Sequence, residues 1–403
     1  MRVGISGGTF DPIHTGHIKS ALCAKEQLSL DKVFFVPCGE PPHKLSRRIT
    51  PDADRVEMIK RSIDGIHGLD VSTYEVDKEE YSFSVDTVKY FAEQYPTAEL
   101  FFIIGADVVG ELCHWKSIDE IFKICSFAVL KRPGCDEEKF YRDIEENRKN
   151  GGTLYEVADA QVDVASEQIR EAVKNQGPDA EIVKKYVAPK AAEYIKEKEL
   201  YVKELPFDEK FALADMKRRL KPERFKHCLR VSAEAVRIAK EFGIDEEKCR
   251  IAGLFHDCGK EVSFHQLYWL DPKLQDEALP ENGGSMKVIH GPAGSLIARK
   301  KYGIIDREIL DAIRFHVTGA PDMGPVAQVV FLADYTEPGR DDEALKDIRE
   351  YFATCPRTEE GLAAAIVKAC DSSIAFVKSK NDFLCPATLA TREAFYRKKG
   401  DIQ

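Results

Sequence analysis

The stretch Gly7-Gly8-Thr9-Phe10-Asp11-Pro12-Ile13-His14-Thr15-Gly16-His17 decides the reading of the first half of the chain. Ahead of it, Arg2 to Ser6 is short, β-branched and apolar, the pattern of a buried strand. Two glycines then permit a sharp turn with backbone N–H groups facing outward. Ile18 to Leu30 has helical spacing, so the stretch predicts a strand, a glycine-rich turn and a helix N-terminus. That combination is an anion site, because unpaired N–H groups and the helix dipole both favour negative charge. His14 and His17 add side-chain donors on one side of it. The spacing is not the G-x-G-x-x-G dinucleotide pattern, and no Gly-Lys-Ser/Thr follows as a P-loop requires. The alternative is a structural turn carrying two incidental histidines.

Working outward, Val33 to Pro37 predicts a second strand, running into a loop with Pro41-Pro42-His43-Lys44. Prolines stiffen such a loop and present Lys44 as a point charge for phosphate; a solvated surface lysine is the alternative. Asp54 to Ser62 reads as a helix, Leu69 to Tyr74 as a strand, and Ser82-Phe83-Ser84-Val85-Asp86-Thr87 as the start of a helix through Phe91. Leu100 to Ile104 is the clearest buried strand and ends in Gly105-Ala106-Asp107, where ligands bind in open α/β sheets. Trp115 can stack on a planar ring or belong to the core. Phe127 to Leu130 is a strand ending at Lys131-Arg132-Pro133-Gly134, and residues 136 to 152 read as a variable surface segment. Leu154 to Val157 returns toward the sheet. Ser166 is an N-cap candidate, with Arg170 one turn into the helix for clamping phosphate. Strands alternating with helices predict an α/β domain with a parallel, three-layered sheet, and Lys203 to Phe207 is the expected junction.

Composition limits the function classes. A chain of 403 residues with 43% hydrophobic and 32% charged residues is expected to fold as two domains, with three as the alternative. A net charge of −10 argues against broad nucleic-acid binding but leaves room for a basic pocket for a small phosphate ligand. No apolar run reaches membrane-spanning length, and no signal-like segment precedes the first strand. Eleven cysteines without a C-x-x-C pair suggest reduced thiols in a cytoplasmic protein.

Residues 1 to about 201 resemble the nicotinate (or nicotinamide) mononucleotide adenylyltransferases of the HxGH nucleotidyltransferase superfamily. GGTFDPIHTGH, PPHK, SFSVDT, GAD, Trp115, RPG and the final xxSxxIR match in order. The resemblance implies a Rossmann-like fold, with His14 and His17 at the ATP phosphates and His17 the nearer to the reacting α-phosphate. It implies that Lys44 and Arg170 hold phosphoryl groups. Nucleotide contacts are implied for Gly7, Gly8, Thr9, Phe10, Ser84, Thr87, Gly105, Arg132, Ser166 and Ile169. Asp107 and Trp115 would lie beside the adenine-ribose and pyridine mononucleotide parts. The pantetheine-phosphate adenylyltransferases of the same superfamily lack the PPHK and tryptophan features. One departure stands out: Ala165 and Glu167 replace hydroxyl residues of the family's last motif. A carboxylate at position 167 either faces away from the phosphates or weakens ATP binding. A mononucleotide phosphate needs no base to attack, so the protein mainly positions it and neutralises charge, with Mg²⁺ bridging ATP phosphates and water. Nicotinate rather than nicotinamide mononucleotide follows from the family resemblance alone.

From about residue 208 the pattern becomes helical. Pro222 suits the first position of a helix with Phe225, Leu229, Ala235, Ile238, Ala239 and Phe242 at helical spacing, and His227 lies beside that stripe. A helix from Glu246 ends in His256-Asp257-Cys258-Gly259-Lys260. His290 opens a helix through Lys300, His316 follows Phe315, and Asp334 precedes Tyr335-Thr336-Glu337-Pro338-Gly339-Arg340. Adjacent His and Asp on apolar helices are costly unless they bind something, and imidazoles with carboxylates suit iron first, then manganese. Helices near Phe352–Ile366 and Ile374–Val377 and a basic amphipathic end from Thr388 complete the packing.

This half, from about 213 to 388, resembles the HD phosphohydrolase superfamily, and HDCGK, IHGPAG, RFHVTG and LADYTEPGR resemble its YqeK-type symmetrical dinucleoside tetraphosphatases. The resemblance implies a first metal on His227, His256, Asp257 and Asp334, a second on His290 and His316, and Asp257 bridging. Lys260 and Arg340 are candidates for relieving charge on the substrate or leaving group; a surface ion pair is the alternative for each. Two metals ~4 Å apart can hold a hydroxide and the phosphate it attacks.

The expected organisation is therefore an adenylyltransferase domain over 1–203 and an all-α HD-type phosphohydrolase domain over 208–403. The expected partners are ATP, nicotinate mononucleotide and dinucleoside polyphosphates, with neither nucleic acid nor membrane; a homo-oligomer is compatible with the sequence. A helical half acting as a general nucleotidase or phosphodiesterase is the second reading. A ligand-sensing module without chemistry is the third, disfavoured by the complete set of metal-binding residue types.

Overall fold

The structure is a computed structural model describing residues 1–39, 48–78, 83–131, 136–158, 162–203, 206–279, 284–340 and 345–400. Lys44 and Arg132 lie outside the described residues, as do the rest of the PPHK and RPG stretches and Ser82. The chain divides into two compact units, residues 1–42 with 49–204, and 43–48 with 205–403.

The first unit alternates strands and helices: β1 (Arg2–Gly8), α1 (Thr15–Gln27), β2 (Lys32–Pro37), α2 (Asp52–Ile63), β3 (Leu69–Val71), α3 (Ser84–Gln94), β4 (Glu99–Gly105), a 3₁₀ helix (Ala106–His114), α4 (Ile118–Ile124), β5 (Ser126–Lys131), α5 (Glu137–Lys149), β6 (Leu154–Ala158), α6 (Ser166–Gln176), α7 (Glu181–Tyr186) and α8 (Pro189–Glu197). The strands pair in parallel in the order β3-β2-β1-β4-β5-β6. Both faces are covered, as a parallel sheet requires. Val33, Phe35, Phe101 and Ile103 pack toward α1, α2, α6, α7 and α8. Their neighbours Phe34, Val36, Leu100, Phe102 and Ile104 pack toward α3, α4 and α5. That alternation is the two-residue period of a strand.

The order reverses between β1 and β4, so the crevice for a ligand opens beyond the carboxyl ends of these two strands. The first ends at Gly8, the second at Gly105, which puts the His14 loop and Asp107 at the same end of the sheet.

Several sequence readings change. Gly7 and Gly8 belong to β1, in register with Val36 and Pro37, and the chain turns after them, with Phe10 in the left-handed region at φ 49°. Gly8 is required for space: a Cβ there would lie 2.9 Å from Cζ of Phe10. The helix begins at Thr15, so His17 is inside its first turn. The strand at Leu69 stops at Val71. Residues 137–149 form α5, whose buried Phe140 and Ile144 make it part of the packing instead of a variable surface segment. Ser166 is not the N-cap of α6; Ala165 holds that position, and Ser166 Oγ donates to the Pro12 carbonyl at 2.9 Å.

The second unit is helical throughout its described residues: α9 (Glu209–Arg219), α10 (Pro222–Phe242), α11 (Glu246–Phe255), α12 (Phe264–Leu270), α13 (Pro272–Glu277), α14 (Met286–Lys300), α15 (Arg307–Phe315), α16 (Pro325–Thr336), α17 (Lys346–Thr354), α18 (Glu359–Ser379) and α19 (Pro386–Lys398). Val329 to Ala333 of α16 are fully buried, so it is the central helix against which the others pack. His290 does not open its helix; α14 begins four residues earlier, at Met286, and carries Pro292 inside it. The packing segments expected around 352–377 are the two helices α17 and α18. No helix among the described residues is long and apolar enough to cross a membrane.

The turn between β1 and α1 is tied down through its carbonyls. The fully buried Arg55 of α2 donates from Nη1 to the Thr9 carbonyl at 2.8 Å and from Nε to the Thr50 carbonyl at 3.0 Å. Arg170 Nη1 donates to the Asp11 carbonyl at 2.6 Å, and Tyr201 OH donates to Asp11 Oδ1 at 2.7 Å. Arg55 also donates to the half-exposed Asp52; replacing Arg55 with Met strands the two carbonyls and is expected to lower the stability of this unit by roughly 2–4 kcal/mol. Denaturant unfolding of the full chain, read on the transition that nucleotide shifts, checks this; a change below about 0.5 kcal/mol, the scale of an ordinary surface substitution, would contradict it.

Candidate functional site

In the first unit His14 and His17 stack face to face, with ring centroids 3.7 Å apart. The His14 N–H donates to Nδ1 of His17 at 3.2 Å, so a neutral His17 carries its proton on Nε2. Gly16 makes this stack possible, since a Cβ there would lie 2.9 Å from Nδ1 of His14. Phe10 meets His17 edge-on at 5.1 Å. Two imidazoles beside a helix N-terminus form an edge of N–H donors suited to phosphate.

The other candidates of this half divide. Asp107 is exposed in the 3₁₀ helix and Gly105 ends β4, both at the switch point. Trp115 is half-buried, edge-on to Phe102 at 5.5 Å and Phe127 at 6.2 Å, so one side of the indole belongs to the core. Ser84 opens α3 and is half-buried. Thr87 is fully buried with its hydroxyl on Glu75, and Ile169 is fully buried among apolar side chains, so neither side chain lines the crevice. Glu167 is exposed. Arg55 and Tyr201, which hold the loop, carried no motif; a buried arginine is recognised only by what surrounds it.

In the second unit five helices converge on Asp257. His227 comes from α10, His256 and Asp257 from the end of α11, His290 from α14, His316 from the end of α15 and Asp334 from α16. Two glycines at the crossings allow the approach. A Cβ on Gly259 would lie 2.3 Å from the His290 carbonyl oxygen, and one on Gly291 would lie 2.5 Å from that of Arg314.

The donors fall into two sets sharing Asp257: His227 with His256 and Asp257, and Asp257 with His290 and His316. Asp257 Oδ2 lies 3.5 Å from His256 Nε2 and 4.0 Å from His227 Nε2, while Oδ1 lies 3.3 Å from His290 Nε2 and 3.4 Å from His316 Nε2. Asp334 Oδ1 joins the first set, 3.0 Å from His227 Nε2 and 3.9 Å from His256 Nε2. His256 and His316 direct Nδ1 to carbonyls one turn back, Gly253 at 2.7 Å and Ile313 at 2.8 Å. That bond holds the proton on Nδ1 and turns the lone pair of Nε2 inward. His256 is fully buried, yet its Nε2 makes no hydrogen bond, so a buried acceptor faces the cluster without a donor. Buried imidazole nitrogens and carboxylate oxygens at these separations fit divalent metal ions.

Cationic side chains rim the cluster. Arg224 Nη1 donates to Asp257 Oδ2 at 2.9 Å, Arg340 Nη2 donates to Asp334, and Lys260 Nζ lies 3.1 Å from His290 Nε2. Lys260 and Arg340 are thus bonded into the cluster, not held in surface ion pairs. Arg224 was absent from the sequence-based set, although it lies one turn before His227 on the same helix. Burial opposes charge on Asp257, but His256, His290 and His316 hold its carboxyl well below the usual range. Burial likewise opposes charge on Asp334, which Arg340 and His227 hold far below its ordinary value. Burial lowers His290 to about 4 and also lowers Lys260. His265, on α12, belongs to neither set.

The fold and these sites define a cytidylyltransferase-like α/β unit joined to a helical HD unit. Residues 5–218 match the family model described as cytidylyltransferase-like, and residues 224–339 match the HD domain. The chain belongs to the cytidylyltransferase-like family and carries an HD domain behind it. It is 39% identical over 207 residues to a Thermoanaerobacter sp. (strain X514) protein named "Probable nicotinate-nucleotide adenylyltransferase", covering 51% of this chain and 96% of that one. It is 29% identical over 343 residues to a Mycoplasma genitalium protein named "Probable nicotinate-nucleotide adenylyltransferase/Ap4A hydrolase", covering 85% of this chain and 89% of that one. Among solved structures, one described as a predicted HD superfamily hydrolase involved in NAD metabolism from Clostridium acetobutylicum is 30% identical, with a TM-score of 0.41, 48% of this chain and 100% of that one covered.

Behind the cluster lies a buried charge network. Asp215 accepts from Lys301 Nζ at 2.9 Å, Arg219 Nε at 2.9 Å and Tyr302 OH at 2.7 Å. Arg219 Nη1 also donates to the Cys258 carbonyl at 2.9 Å, steadying the turn that carries Asp257. Burial opposes the charge of Asp215, but Arg219, Lys301 and Tyr302 bring its pKa from 3.8 down to about 2. A depressed carboxylate stabilises the fold above its unfolded value, and the contribution disappears as pH falls through the folded value. Asp215→Asn should therefore be less stable than the parent at neutral pH, and the gap should narrow between pH 3.8 and about 2. Melting curves of both chains across that range test this; a gap independent of pH would refute it.

Proposed function

We propose that the chain is a bifunctional enzyme of nucleotide metabolism. The first unit transfers the AMP moiety of ATP to nicotinate mononucleotide, giving deamido-NAD and pyrophosphate. The second hydrolyses diadenosine tetraphosphate symmetrically to two ADP. The observation that carries the reading is one chain holding the stacked His14–His17 pair at a sheet switch point and a four-imidazole cluster around Asp257. The relative named for both activities, which spans most of the chain, supports the pairing.

In the first unit a phosphate oxygen of the mononucleotide attacks the α-phosphorus of ATP in line. The bond from that phosphorus to the bridging oxygen breaks, and pyrophosphate leaves. No general base is needed, because the nucleophile is already an anion. His17, whose Nε2 is left to donate, stabilises charge on the α-phosphate, and His14 supports it from the stacked position. Arg170 and Lys44 hold phosphoryl groups, and Mg²⁺ arrives with ATP as part of the substrate. Gly7, Gly8, Thr9 and Phe10 line the approach, with Asp107 and Trp115 beside the nucleoside parts. Ser84, Gly105, Ser166 and Arg132 complete the proposed contacts.

In the second unit His227, His256, Asp257 and Asp334 would hold one divalent ion, and Asp257, His290 and His316 a second, with iron favoured over manganese by the donor set. Such a pair supplies Lewis-acid polarisation of a phosphate and activation of water. The surrounding Arg224, Lys260 and Arg340 bind the polyphosphate and offset the charge of the leaving ADP. Overall, a water oxygen joins one central phosphorus, the bond from that phosphorus to the oxygen bridging the two central phosphates breaks, the second ADP leaves with that oxygen, and protons are released to solvent. The acidic net charge supports small phosphate ligands over nucleic acid. We place the enzyme in the cytoplasm, with domains over 1–203 and 208–403.

Product analysis of the full chain tests the reading. ATP with nicotinate mononucleotide should give deamido-NAD and pyrophosphate, and diadenosine tetraphosphate should give ADP alone; release of AMP with ATP would reassign the second unit to a phosphodiesterase. His17→Ala should lower dinucleotide synthesis by ~10²-fold or more and leave hydrolysis intact; a loss under about tenfold would refute its role at the α-phosphate. Asp257→Asn should abolish ADP formation, lower metal content by elemental analysis, and leave dinucleotide synthesis unchanged; full turnover with full metal content would remove the bridging assignment.

A further inference from the structure

Glu337 is fully buried, although it is a carboxylate just past the end of α16 and outside both donor sets. Its Oε1 lies 3.0 Å from Nδ1 of His227. Its Oε2 accepts from Arg230 Nε at 2.7 Å and from the Gly339 N–H at 2.6 Å, while Arg230 Nη2 reaches Oε1 at 3.3 Å. Arg230 is one turn beyond His227 on α10, so the two side chains close on Glu337 from the same helix face. The carbonyl of Glu337 accepts from Arg349 Nη2 at 2.8 Å, which fixes the backbone behind it.

His227 differs in this from its neighbours. His256 and His316 are oriented by carbonyls of their own helices, which any imidazole at those positions would find. His227 depends on a side chain from another helix. An ionised carboxylate only accepts, so Nδ1 of His227 must carry the proton and Nε2 the lone pair. That Nε2 faces Asp334 Oδ1 at 3.0 Å and Asp257 Oδ2 at 4.0 Å.

We propose that Glu337 is a positioning residue of the helical site. It sets the tautomer and angle of His227, and through them the metal affinity of the position formed by His227, His256, Asp257 and Asp334. Arg230 and the Gly339 N–H hold the carboxylate of Glu337 in place. The inference rests on the metal-binding reading of the second unit.

The test is a calorimetric titration with Mn²⁺ of the full chain after removal of metal by a chelator. Glu337→Gln should weaken one of two Mn²⁺ positions by ~10–100-fold, the usual cost of losing such a partner, and leave the other within about threefold. Glu337→Asp keeps the charge but shortens the reach; it should weaken the same position less, and it serves should the Gln variant not fold. Arg230→Gln removes the guanidinium that holds Glu337 but leaves its carboxylate; it should weaken the same position, by less than Glu337→Gln does, and leave the other within about threefold. Parent-like affinities in the folded Glu337 variants, or an equal loss at both Mn²⁺ positions, would overturn the positioning role alone. A parent chain that takes up no Mn²⁺, iron or cobalt would overturn the metal reading, and this inference with it.

Discussion

A single buried carboxylate, that of Asp257, meets four imidazoles, and the architecture of the helical unit serves that meeting. Each oxygen faces a different pair of histidines at 3.3 to 4.0 Å. Five helices must approach closely enough for this, which is why Gly259 and Gly291 sit where a Cβ would overlap the neighbouring backbone. So many polar groups in an apolar interior would be costly if left without partners. Backbone carbonyls, Glu337, Arg224 and Arg340 supply partners for some of them, His256 Nε2 is left facing the cluster without one, and the Asp215 network anchors the turn from behind.

The nucleotide unit solves a related problem with backbone geometry. Its anion-binding turn follows the central strand at the point where strand order reverses, and it is held by its carbonyl oxygens. Arg55, Arg170 and Ser166 each take one carbonyl of the segment Thr9 to Pro12. Binding the carbonyls from outside leaves the stacked histidines at the mouth of the crevice. Gly16 and Gly8 contribute by omission, leaving volume for the His14 imidazole and the Phe10 ring.

Both proposed reactions act on phosphoanhydrides, yet the chain is acidic overall, with a net charge of −10. Positive charge is therefore local. In the first unit it is Arg170 and a helix N-terminus beside a pair of imidazoles. In the second it is a ring of Arg224, Lys260 and Arg340 around a cluster suited to divalent ions. Local charge in a low-dielectric surrounding acts strongly over a few ångströms without making the whole surface basic.

Element type and order could be read from the sequence because periodicity is local. Short continuous apolar runs identified the strands from Leu100 and Phe127, and helical spacing identified the helices from Pro222 and Glu246. Residue type and motif also singled out His227, His256, Asp257, His290, His316 and Asp334 before any geometry was known, because adjacent His and Asp in apolar segments are rare without a ligand. Other features were decided only by tertiary contact. The burial of Thr87 and Ile169 and the packing of the helix in the charged segment 137–149 depend on neighbours distant in sequence. The same holds for Arg55, Arg224, Tyr201 and Glu337. Each is an ordinary polar residue in the sequence, and acquires meaning only from the carbonyl, carboxylate or imidazole that folding sets within hydrogen-bond reach.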